Sequence, residues 1–163
     1  MLLCCFFATQ DWVTPTPTIT ADVVTAPDAR TNKALQLTIS NGFSQFVQPT
    51  TLQPGTAYRL SIWTKATPPT GLAGVTITLM LRQMGEPYNA LAAATAVVGA
   101  TWTQLIIPAA VVPAGGAPMA VGFFVNTGGP GVVWLDDASL TAIPAATPLP
   151  DQVRGVHELG FRV

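Results

Sequence analysis

Residues 57–65 read Ala57-Tyr58-Arg59-Leu60-Ser61-Ile62-Trp63-Thr64-Lys65. Successive side chains of a strand point to opposite faces, so Tyr58, Leu60 and Ile62 share one face, while Arg59, Ser61, Trp63 and Lys65 share the other. The first set is the core-facing one. Further along, Val75, Ile77, Leu79 and Leu81 form an inward set, leaving Thr76, Thr78, Met80 and Arg82 outward. Val121, Phe123 and Val125 point in, and Phe124 and Asn126 point out.

Turn residues interrupt these runs at short, regular intervals: Pro27-Asp28, Asn41-Gly42, Pro54-Gly55, Pro68-Pro69, Gly85, Gly99, Gly115-Gly116 and Gly128-Gly129. That spacing is the mark of an all-β sandwich or barrel. Further strands are expected at residues 17–24, 34–40, 44–48, 90–98, 102–107 and 132–142. The alanine-rich run from Asn89 to Val98 favours helix by intrinsic propensity, but strands on both sides of it predict a strand there too.

The 163 residues make one domain. It carries 7 Lys and Arg and 8 Asp and Glu, where a chain of this length ordinarily carries about 41 charged side chains. A chain this long buries enough surface in one core to fold, so part of its apolar excess is expected on a face that a subunit or ligand covers. The few cations are scattered, which excludes a phosphate-neutralising stripe for nucleic acid. It excludes a polybasic membrane patch as well, and no apolar run reaches the ~18 residues of a membrane helix.

Residues 1–8 read as a first strand in preference to a leader, since they lack a basic start. Cys4 and Cys5 are adjacent, so on a strand they face opposite ways and act as small apolar fillers. With a single His besides, they are too few for zinc. Residues 1–143 form the sandwich, and residues 144–163 a Pro-rich linker and a C-terminal arm. The arm is either a frayed end or a docking segment. Leu159, Phe161 and Val163 alternate there like a strand that could join a neighbour's sheet edge.

From Leu52 to Ala66, then Val75 to Leu79, Thr101-Trp102-Thr103, and Val133 to Leu140 with its Asp136-Asp137 pair, the order of motifs resembles carbohydrate-binding modules of families 4, 9 and 22. The resemblance covers roughly residues 12–143, beginning at Asp11-Trp12. It implies a jelly-roll β-sandwich of two antiparallel sheets. It also implies a structural calcium near the N-terminal strand, held in part by Asp136 or Asp137, although the opening Leu3 to Phe7 lacks the oxygen ligands the family supplies there. The other reading of Asp136 and Asp137 is that they accept backbone N–H groups or face solvent. No other cofactor is expected.

Catalysis finds no support in the residues. Glu86 and Glu158 lack the paired setting of a glycosidase, and His157 has no nucleophile elbow to serve. A glycan site would draw on Trp63, Tyr88, Arg59, Arg82, Gln45, Phe124 and Asn126, which supply stacking faces and groups for hydroxyls. Trp63 also suits a purely structural place, as Trp102 and Trp134 do.

The thin ionic coat and the apolar-tipped arm are expected to suit a non-catalytic structural subunit of a larger assembly. A phage virion decoration, cement or tail-surface protein fits that description, located at the virion surface and partnered by copies of itself and neighbouring subunits. The alternative is a secreted module for xylan, cellulose or β-glucan, associated with a glycoside hydrolase.

Overall fold

The computed structural model describes residues 19–145, apart from positions 27, 30, 31, 41, 87, 116 and 117. The strand expected at residues 1–8, Cys4 and Cys5, and the arm with Leu159, Phe161 and Val163 lie outside the described residues. Within them the regular elements are all strands: β1 (Ile19–Thr25), β2 (Lys33–Ile39), β3 (Phe43–Thr50), β4 (Ala57–Thr67), β5 (Val75–Gln83), β6 (Ala90–Val98), β7 (Thr103–Val111), β8 (Met119–Asn126) and β9 (Gly131–Ala142). They pair antiparallel into two sheets, a five-stranded one in the order β1-β2-β9-β4-β7 and a four-stranded one in the order β3-β8-β5-β6. The architecture is an all-β jelly-roll sandwich.

Its core is the meeting of two inner faces. Leu60, Ile62 and Ala66 of β4, Leu35, Leu37 and Ile39 of β2, and Val133 and Leu135 of β9 come from the larger sheet. Val75, Ile77, Leu79 and Leu81 of β5, Val121, Phe123 and Val125 of β8, and Phe46 of β3 come from the smaller. Each fully buried Leu, Ile or Phe contributes about 1.5–3 kcal/mol relative to leaving it in water. The alanine-rich β6 is a strand because it pairs along its length with β5, from Val75 opposite Val98 to Arg82 opposite Ala90. Pairing and packing here override the helical preference of alanine.

Prolines mark the sheet edges. Pro49 lies in β3 and Pro108 in β7, each the outermost strand on one side of its sheet, where a missing N–H costs no ladder bond. β7 runs on through Pro108 to Val111, beyond the expected end at residue 107, by means of a bulge. Tyr58 pairs with Ala110 and Leu60 with Ile107, so the stretch at Pro108 and Ala109 holds one residue more than β4 opposite it. A second bulge lies in β9, where Ser61 pairs with Ser139 and Trp63 with Asp136. Asp137 takes up the extra length at φ 49°.

Candidate functional site

The outer face of the four-stranded sheet is set by cross-strand register. Phe43, Asn126 and Thr76 lie in one row, Gln45, Phe124 and Thr78 in the next, Val47, Gly122 and Met80 in the third, and Pro49, Ala120 and Arg82 in the fourth. β6 adds Val97, Thr95, Ala93 and Ala90 along one side. Small residues dominate this face, so its few large side chains stand out from it. Phe43 is 54% exposed, Val97 69% and Tyr88 50%.

The large side chains cluster. The rings of Phe43 and Phe124 lie 6.4 Å apart, tilted by 44°, within the range of favourable aromatic pairs. The Arg82 guanidinium lies 5.8 Å from the centre of the Phe124 ring and 5.1 Å from that of Tyr88, both inside cation–π range. Tyr88 reaches that position from the turn between β5 and β6, where its N–H donates to the Gly85 carbonyl at 2.7 Å. Its backbone stands at φ 51°, an unusual state for a bulky residue. Gly122 makes the floor of the cluster. A Cβ placed on it would meet Met80 Cγ and Phe124 Cε2, both at 3.3 Å, and Arg82 Cδ at 3.7 Å.

Gln45, Phe124, Asn126 and Arg82 are therefore brought together, and Tyr88 joins them. Asn126 is partly committed, because its Oδ1 accepts the N–H of Gly128 at 3.1 Å in the following turn. Phe43 and Gly122 are members that the sequence reading did not single out. Phe43 shares the strand parity of Gln45, and that signal was available in the sequence.

Trp63 and Arg59 lie elsewhere. Both belong to β4 and point away from the core on the five-stranded sheet, on the far side of the sandwich from Phe124. A single face holding all the candidates is thus corrected to two faces, because alternation separates inside from outside but does not say which sheet a strand joins. The far face carries a small second core. Ala26, Ala29 and Ala34 pack against Trp102 and Trp134, and the Lys65 ammonium lies 5.0 Å from the centre of the Trp102 ring and 5.3 Å from that of Trp134. Lys65 also pairs with Asp28, and that hydrogen bond holds the Asp28 carboxyl below the ordinary aspartate value.

Known structures can be compared once this geometry is in view. A family 4 carbohydrate-binding module aligns with a TM-score of 0.62 at 17% identity, over 82% of this chain and 96% of that one. A CBM22 xylan-binding domain from Paenibacillus barcinonensis gives 0.64 at 15% identity, over 85% of this chain and 89% of that one. This is a carbohydrate-binding-module-like fold. The enzymatically active domain of tailspike protein 4 from bacteriophage CBA120 also aligns, with a TM-score of 0.61 and 19% identity, over 82% of this chain but 20% of that one. No protein-family model and no curated protein matches the sequence.

In this module-like sandwich Asp136 is fully buried, and its Oδ1 accepts the N–H of Asp137 at 2.7 Å. Asp137 itself is exposed. Among the described residues no group of three or more His, Cys, Asp or Glu gathers; the calcium site that the resemblance implies would also draw on residues near the N-terminal strand. The N-terminal opening that would have to complete it lies outside the described residues. Among the described residues, open cavities of about 470, 540 and 500 Å³ flank the sandwich, and these are not lined by a charged side chain. Among the described residues the carboxylates are Asp22, Asp28, Glu86, Asp136 and Asp137, and none of them faces those cavities.

Proposed function

We propose that this chain is a non-catalytic glycan-binding module, with the outer face of the four-stranded sheet lying against a polysaccharide. The observation that carries this reading is the cluster of Phe43, Phe124, Arg82 and Tyr88. Aromatic faces and a guanidinium stand beside the amides of Gln45 and Asn126, on a surface whose other members are small or aliphatic. Aromatic rings cover the apolar C–H faces of a pyranose, and amides and guanidinium bond its hydroxyls. The fold shared with carbohydrate-binding modules supports the reading.

Retention on immobilised xylan, β-glucan, cellulose and polygalacturonate tests it. Wild-type protein is expected to be retarded on at least one gel, and Phe124→Ala to lose about tenfold in affinity, the equivalent of ~1.4 kcal/mol. Passage of the folded wild-type chain through every gel without delay overturns the reading.

A second reading, a structural subunit at the surface of a phage particle or a similar assembly, is favoured by the aliphatic part of the same face. Val97 is 69% exposed on β6, at the opposite edge of the face from Phe43, and exposed aliphatic side chains of this kind suit a protein contact. Under that reading copies of this chain, or neighbouring subunits, cover the face, with the arm at residues 144–163 as a second contact. A concentration-dependent oligomer that Val97→Lys dissolves would support it. A monomer at every concentration would count against it.

A further inference from the structure

Resting on the glycan reading, we propose that the polysaccharide this face takes bears carboxylates on its sugar rings, a uronate polymer, and that Arg82 is the group that selects it. Arg82 is the one charged side chain in the rows of that face, since Lys33, Arg59 and Lys65 all belong to strands of the other sheet. Its Nε donates to the Gln83 carbonyl at 3.3 Å, which leaves the outer guanidinium nitrogens as donors. Among the described residues no carboxylate pairs with it. The guanidinium is half-buried beside two rings, and the fork of its outer nitrogens has no protein acceptor among the described residues. That fork matches a planar carboxylate through two parallel N–H···O bonds, and a neutral hydroxyl uses only part of it.

Tyr88 holds the arrangement from above. Its φ of 51° costs backbone energy that an Asn or Gly would avoid. The strained turn sets the ring 5.1 Å from the guanidinium. A ring this close narrows the orientations of the fork and displaces water beside it, which strengthens a charge pair made there.

The test compares polygalacturonate with the same polymer after reduction of its carboxyl groups, by affinity electrophoresis of the full chain. The acidic polymer is expected to bind about tenfold or more tightly than the reduced one, the span of a hydrogen-bonded charge pair. That gap is expected to collapse in Arg82→Gln. It should persist in Lys33→Gln, which removes a cation from the other sheet. Equal retention of dextran sulfate would reduce the effect to bulk charge and overturn the assignment, as would a gap that survives in Arg82→Gln. Preference for the reduced polymer or for neutral gels overturns the assignment and leaves the glycan reading standing. Retention by no polymer, acidic or neutral, overturns both.

Discussion

Gly122 and Met80 face each other across the β8–β5 pairing, and a Cβ on the glycine would stand 3.3 Å from Met80 Cγ. Phe124 and Arg82 crowd the same spot, so the large side chains of the face close over a residue that has none. Gly122→Ala is expected to move the melting transition little. The strand gains about 0.5–1 kcal/mol from the lost glycine flexibility, and the contacts with flexible side chains take a similar amount back. Retention on the responsive gel should fall several-fold, because Phe124 and Met80 must shift by a few tenths of an ångström. Unchanged retention would place the ligand elsewhere.

Trp63→Ala is expected to do the reverse. Trp63 stands on β4 beside Asp136 and Gln104, on the far side of the sandwich from Phe124. Losing a half-buried indole should lower stability by about 1–3 kcal/mol, below the range for a fully buried Trp, while retention stays near the wild-type level. Urea unfolding and affinity gels measure the two effects separately. A folded Trp63→Ala protein that no longer binds would move the site to the five-stranded sheet.

Asp28 and Lys65 give a pH signature. The Asp28 carboxyl titrates lower in the folded chain than in the unfolded one, because Lys65 bonds its charged form. Its contribution is therefore present above the unfolded value, about pH 4, and is lost as pH falls through the lower folded value. The difference in stability between wild type and Asp28→Asn should shrink as pH drops through this range. Chemical denaturation at a series of pH values would show it. A difference independent of pH would mean that the pair contributes nothing through its charge.

Thr64 is fully buried in β4, and its hydroxyl has no hydrogen-bond partner. Thr64→Val keeps the shape and removes an unsatisfied polar group, which should stabilise the protein by about 1–3 kcal/mol. A lowered denaturation midpoint would show that the hydroxyl is satisfied in solution.

The strands were legible because their faces differ so sharply. Leu79 and Thr78, or Phe123 and Phe124, are neighbours in sequence whose burial follows parity alone. Even the alanine-rich β6 was settled by its neighbours. That Arg82, Phe124, Gln45 and Asn126 point outward was legible on the same ground. What parity does not carry is sheet membership. β4 joins β9 and β7, while β5 joins β8 and β6, and these long-range pairings put Trp63 and Phe124 on different exteriors. The Lys65 site was hidden for a related reason. Asp28 meets Lys65 from 37 residues away, and Trp102 arrives from yet another segment.

The two edge prolines leave an asymmetry with practical weight. Pro49 and Pro108 deny an incoming chain the N–H it would need to continue a ladder. β6, outermost on the other side of the four-stranded sheet, runs from Ala90 to Val98 with neither a proline nor a charge to guard it. Concentrated preparations should therefore form filaments along that border first, and a single gatekeeper lysine at Thr95 is the substitution that would lengthen their shelf life.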